Sequence, residues 1–250
     1  MAVLVAAAGS TAGLAGPANA QPANRLGEAL IGRQAPPQVP AVARYVSDQG
    51  PSFILDRSTP MPLLRFENSP EVWVLRAKPG AGGDIVYYND LGQPMLRATR
   101  LGGLTLYHPS RPAGLAAQVA GAASPILLVD MGPSVAERRL AQATVRMAVA
   151  AGRSTERGLE LEVPLVRITA RTASVLVDTS TLVAEAFEQI AKRPSGLELL
   201  NRVDKVQIVL TEGPPNVVFS QGVLQVSVRP VDGVAGRPSS LRMIVTLTGR

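Results

Sequence analysis

The stretch from Phe53 to His108 reads FILDRSTPMPLLRFENSPEVWVLRAKPGAGGDIVYYNDLGQPMLRATRLGGLTLYH, and it leaves the chain few folds to choose from. Short alternating apolar runs are cut at near-regular intervals by Pro, Gly and Asn-Asp, which is the pattern of a β-meander. Together with the run just before it, the text predicts seven strands: Ala43–Val46, Ser52–Asp56, Leu63–Phe66, Glu71–Arg76, Asp84–Tyr88, Pro94–Thr99 and Leu104–Tyr107. Asp48-Gln49-Gly50-Pro51 and the Lys78–Gly83 run mark turns, and Asn89-Asp90-Leu91-Gly92 reads as a four-residue hairpin loop with Gly where positive φ is needed. Within Glu71–Arg76, Val72 and Val74 alternate with Trp73 and Leu75, so both faces are apolar and burial on both sides is expected. So many short strands in so little chain predict a small barrel or a curled sheet.

Upstream, Ala2–Ala8 is a short apolar core, and Ala18-Asn19-Ala20 before Gln21 matches the Ala-x-Ala pattern of a signal-peptidase site. Residues 1–20 are therefore read as a signal peptide cleaved after Ala20. No Lys or Arg precedes Arg25, so the missing positive region predicts a true start upstream or a misassigned Met1. Residues 21–41 are rich in Pro, Ala and Gln and read as a flexible spacer. The remaining chain is long enough to bury a core without staples, and it contains no Cys. That suits an oxidising bacterial periplasm and excludes thiolate catalysis, iron–sulfur clusters and Cys-type zinc sites.

Beyond the strands, Pro109–Ser124 turns to Ala, Pro and Gly and reads as a linker or a loosely packed helix, the best candidate boundary. Pro125–Asp130 reads as a buried strand. Ser134-x-x-Glu137 forms a capping box ahead of a helical stripe of Leu140, Ala143, Met147, Ala148 and Ala151 that Gly152 closes. Leu159–Ile168 and Ser174–Asp178 read as strands, and Leu182, Val183, Ala186, Phe187 and Ile190 as a helix stripe stopping before Pro194. A second capping box, Ser195-x-x-Glu198, opens a short helix. Lys205–Thr211, a hairpin over Val217–Val228 broken at Gln221-Gly222, and Leu241–Thr248 complete the expected strands. The expected class is α+β: a β-rich half over 42–108, the linker over 109–124, and a mixed half over 125–250 with helices on a mainly antiparallel sheet. One continuous domain is the alternative.

The formal charge is +6, and all but three of the 25 basic residues are Arg. These arginines are spread along the chain, a spread that a GC-rich genome produces; the functional alternative is recognition of carboxylate or phosphate. An exported protein does not meet nucleic acid, so anionic envelope polymers or another envelope protein are the expected partners. Arg57, Arg65, Arg97 and Arg100 are the candidate binding residues, either lining an anion-binding groove or satisfied internally by Asp56, Glu67, Glu71 and Asp84.

Catalytic signals are sparse. Asp130 and Asp178 each follow an apolar run, LLVDMG and VLVDTS, and the second resembles the retropepsin-like aspartic protease signature. That chemistry needs two carboxylates sharing one proton, each on a tight turn. Ser180 stands where that family has Gly, and Met131 where it has Thr; Asp178 as the cap of a helix near Leu182 is the simpler reading. His108 is the only histidine, and no Gly-x-Ser-x-Gly accompanies it. No metal site or cofactor is expected; Asn89-Asp90-x-Gly92 has a sufficient explanation as turn chemistry.

The phrases FILDRS, LLRFENSPEVWVL, GGDIVYYNDLGQPMLRATRLGGLTLYHPSRPAG and GRPSSLRM resemble an uncharacterised exported family of alphaproteobacteria, known only as a domain of unknown function. The resemblance implies a bacterial envelope setting and carries no activity, cofactor or catalytic residue. The expectation is a non-enzymatic periplasmic binding or structural protein, with an aspartate-dependent hydrolase using Asp130 and Asp178 as the alternative.

Overall fold

The computed structural model describes residues 40–108, 111–153, 159–165 and 168–249. The expected signal peptide and all but the end of the expected spacer lie outside the described residues. Eight strands occupy the meander: β1 Val42–Ser47, β2 Phe53–Asp56, β3 Leu63–Phe66, β4 Val72–Val74, β5 Arg76–Pro79, β6 Ile85–Tyr88, β7 Pro94–Ala98 and β8 Leu104–His108. A ninth, β9 (Arg111–Ala122), lies between β1 and β8, giving the antiparallel order β4-β3-β2-β1-β9-β8-β7-β6-β5. The strands at the two ends of this order, β4 and β5, are consecutive in the chain and separated only by Leu75. Leu75 N–H still bonds Pro62 C=O on the β3 side at 2.8 Å, and the next residue pairs with β6. A flat sheet cannot satisfy that connectivity, so the sheet curls into a nearly closed barrel.

Alternation sorts the side chains. Tyr45, Phe53, Leu64, Leu75, Leu96 and Leu106 point into the barrel core. Tyr45 stacks on Phe53, and Phe53 meets Phe66 edge-on, at centroid distances of 5.2 and 6.1 Å. The other face of β3 and β4 presents Leu63 and Val72, which pack against Ile126 and Val234. The doubly apolar Glu71–Arg76 run is thus buried on both sides as expected, although the structure splits it at Leu75 into two strands.

Pro109–Ser124 corrects the sequence reading. Apart from residues 109–110, which lie outside the described residues, it is mostly strand rather than linker or helix. Its Ala and Gly residues hide the period-2 signal, and pairing with β1 and β8 holds it in place.

The mixed half contains α1 (Pro133–Ala150), α2 (Ala170–Ala191), α3 (Gly196–Asn201) and α4 (Ser240–Thr248). Its sheet runs β10 (Glu160–Glu162), β11 (Lys205–Leu210), β13 (Val223–Val228), β12 (Asn216–Ser220). The class is α+β, but this sheet is mixed rather than mainly antiparallel: β10–β11 and β11–β13 are parallel, and only the β12–β13 hairpin is antiparallel. That hairpin turns at Gln221-Gly222 with φ of +50° and +79°, the positive-φ pair such a tight turn requires. The barrel and the mixed half have separate cores, and the described residues fall in one compact unit, Val39–Arg250.

Four further expected strands fail in whole or in part. Ser174–Asp178 is helix, not strand, because α2 starts at a Thr169 cap whose side chain accepts from Thr172 N–H. The first half of α2 is buried nearly all round, so that part of the sequence lacks the one-sided stripe that the Leu182–Ile190 part shows. Leu241–Thr248 is likewise α4, capped by Ser239 and closed by Gly249 at φ +70°. Pro125–Asp130 is neither a strand nor buried: it pairs with no strand, only Ile126 is closed to water, Asp56 accepts from the Ile126 N–H and Ser174 donates to the Val129 C=O. Leu159–Ile168 retains only the three residues of β10 as strand among its described part. Both capping boxes mark helix starts to within two residues, yet neither serine makes a side-chain cap bond: Gly132 caps α1, and Ser195 caps α3 in the left-handed region.

Candidate functional site

Several buried polar and charged residues gather where the barrel meets α2 and α4. Glu71, just before β4, is 5 % exposed and accepts from Ser240 N–H at 2.9 Å and Ser240 Oγ at 2.7 Å. Asp90, in the β6–β7 loop, accepts from Ser239 N–H (3.0 Å), Ser239 Oγ (2.7 Å) and Arg242 Nε (3.2 Å). Two barrel carboxylates therefore seat the N-terminus of α4, whose free N–H groups and positive dipole end favour them. Arg237 is 4 % exposed; its guanidinium pairs with Asp178 of α2 and donates to Val72 C=O. On the far side of the same joint, Asp56 accepts from Ser58 and from Ile126 N–H at 2.8 Å.

These environments shift proton affinities in different directions. Burial pushes the Glu71 carboxyl up and Asp90 adds to the rise, while the Ser240 bonds and Arg237 oppose it. Glu185 lies on the same face of α2 as Asp178, two turns on. Burial first, then the charges of Glu71, Asp178 and Glu188, push it up to about 7 against the pull of Arg146. Burial also works to raise Asp56, but its hydrogen bonds outweigh that and hold it low.

The two candidate catalytic aspartates have different surroundings. Asp178 lies inside a helix, neither on a strand-end turn nor at a helix cap, and its partner is the Arg237 guanidinium. Asp130 is exposed in the irregular segment before α1 and has no hydrogen bond or ion pair among the described residues. It lines a cleft of about 560 Å³ with Met61, Leu128, Arg171 and Val234.

Of the four candidate arginines, two come together. Arg97 Nε bonds Asp84 at 2.7 Å and Arg100 N–H bonds its other oxygen at 3.2 Å, around a shallow hollow that Gly82 and Thr99 also line. Arg65 on β3 lies across the barrel from Arg97 on β7, given the strand order, and Arg57 donates to Pro40 C=O at 2.9 Å. Of the carboxylates expected to serve them, Asp84 does so, while Glu67 pairs with Arg44 instead. Asn89 accepts from Leu91 and Gln93 within its own loop, as turn chemistry predicts. His108 ends β8 against the Phe66 ring.

Sequence reading missed Arg237, Arg242, Ser239 and Glu185. The Ser239 cap ahead of an apolar run was the one local signal available for α4.

Such a molecule is an α+β protein in which a nearly closed barrel is fastened to a helical layer by carboxylates. No helix of the described residues is long and apolar enough to cross a membrane. The model of a domain of unknown function, DUF4908, matches residues 22–247, and the chain belongs to that family. No curated protein and no solved structure matches the chain.

Proposed function

We propose that this chain is an exported, non-enzymatic protein of the bacterial periplasm that binds an anionic envelope polymer through the outside of its barrel. The observation that carries this reading is how the charges are used. Glu71, Asp90, Asp178 and Asp84 are each engaged by a guanidinium, a hydroxyl or a backbone N–H. Arg65 and Arg100, by contrast, carry side chains in no ion pair among the described residues. The apolar leader ending at Ala18-Asn19-Ala20, the lack of cysteine and the net charge of +6 support export to a compartment rich in anionic polymer.

The mature chain is expected to be retained on peptidoglycan sacculi or anionic lipid vesicles at low salt and released at high salt, because exposed charges are screened beyond about 10 Å at 0.1 M. Replacing Arg65, Arg97 and Arg100 together by Gln should lower that retention severalfold. Retention that ignores salt, or is absent, overturns the reading. So would cleavage of a peptide library at acid pH that Asp178→Asn abolishes.

A further inference from the structure

We infer that the end of the barrel carrying the β5–β6 and β7–β8 turns docks on an anionic phospholipid surface. Leu101 enters the acyl region while Arg97 and Arg100 meet headgroup phosphates. The choice of this end rests on the reading proposed above, that the outside of the barrel binds anions; the bilayer is what the apolar tip adds.

From Arg76 to Gly103 the chain carries the cations Arg76, Lys78, Arg97 and Arg100 and the acids Asp84 and Asp90. Asp90 lies in the β6–β7 loop, at the opposite end of these antiparallel strands, and is taken by α4. That leaves Asp84, buried and already bonded by Arg97 Nε and the Arg100 N–H. Lys78, Val86 and Arg97 are register partners on adjacent strands, alternating with the inward Tyr87 and Leu96. The two cations therefore stand on the outer face about 10 Å apart along the sheet. The Arg100 side chain makes no ion pair among the described residues.

A basic face alone would suit any polyanion, and the β7–β8 turn separates them. Thr99 N–H bonds Gly103 C=O at 2.8 Å, Gly103 N–H bonds Thr99 Oγ1 at 2.9 Å, and Gly102 sits in the left-handed region at φ +89°. This closed turn holds Leu101 at 97 % exposure, against 76 % or less for the other exposed large apolar side chains of the described residues. Ile85, paired with Ala98 at the same end of the sheet, is also exposed. Leu101 rims the hollow, about 570 Å³, that Gly82, Asp84, Arg97, Thr99 and Arg100 line. A Cβ at Gly82 would meet nothing within 4 Å, so that side of the hollow stands open. Scattered apolar residues need no partner, but this one borders a cluster of cations. A hydrated polyanion offers a leucine nothing. An anionic bilayer gives both groups their complement, phosphate for the guanidinium and hydrocarbon for the leucine.

Co-sedimentation of the chain with vesicles of phosphatidylglycerol or of phosphatidylcholine tests this. The first should retain it at low salt and the second should not. Leu101→Ser should weaken retention on phosphatidylglycerol about tenfold, the effect of withdrawing one leucine from an apolar phase. Retention on sacculi, which Leu101→Ser should leave unchanged, reports the polymer reading separately. The chain has no cysteine, so Leu101→Cys takes a single environment-sensitive fluorophore, as does Val149→Cys on the exposed side of α1. Neither position belongs to a core, so both labelled chains should fold. On phosphatidylglycerol vesicles the first label should shift to the blue and the second should not. No retention on those vesicles, equal retention of Leu101→Ser, or a Leu101→Cys label that stays in water overturns the inference; salt-sensitive retention on sacculi would then leave the polymer reading standing.

Discussion

Replacing Arg237 with Met should lower stability by about 3–5 kcal/mol, the range seen when one partner of a buried ion pair is removed. The side chain is nearly closed to water, so no solvent steps in for it. Its loss leaves the Asp178 carboxylate without a counter-charge, Val72 C=O without that donor, and Glu71 without its nearest cation. Arg237→Lys should recover only part of the loss, since an ammonium cannot span Asp178 and Val72 with a planar fork. Neutralising the orphaned acid as well, in Arg237→Met with Asp178→Asn, should return about 1–2 kcal/mol relative to additivity. Urea midpoints measure all three, and a double variant that merely sums the singles would show that the pair is not coupled.

Leu75→Ala should cost about 2–5 kcal/mol through the cavity it opens in the barrel. Leu75 is fully buried, and it is the one residue joining the strands at the two ends of the sheet order. Its side chain fills the core while its N–H remains tied to Pro62, so neighbouring strands cannot collapse into the space without breaking the closure. Arg76→Ala, on exposed β5, is the control and should move stability by less than about 0.5 kcal/mol. Equal midpoints for the two variants would show that the barrel closes without the leucine.

The barrel was legible because its signals are local. Period-2 alternation from Phe53 onward, with Gly, Pro and Asn-Asp at the turns, places most strands near their observed bounds, and the Gln221-Gly222 hairpin follows from the same chemistry. Strand β9 escaped since alanine and glycine carry no alternation. Only the first half of α2 escaped, for the opposite reason: Val175, Leu176 and Val177 are all buried, so no polar face breaks the run and it reads as strand, whereas the Leu182–Ile190 stripe marks the second half as the helix it is. The candidate arginines and aspartates were named from the strands that were expected to carry them. Asp178 changed role once its strand proved to be a helix.

What the sequence determined by itself was the barrel's pattern, the α+β class, the lack of thiols and the basic charge, because each depends on neighbouring residues or on composition. What only the tertiary structure decided was the junction. Glu71 meets Ser240 across 169 residues and Asp90 meets Ser239 across 149, and no local pattern records which acid will face which helix end. Those pairings arise when closure of the barrel and packing of α2 bring remote segments into a dry space, where each carboxylate must find a donor or keep a proton.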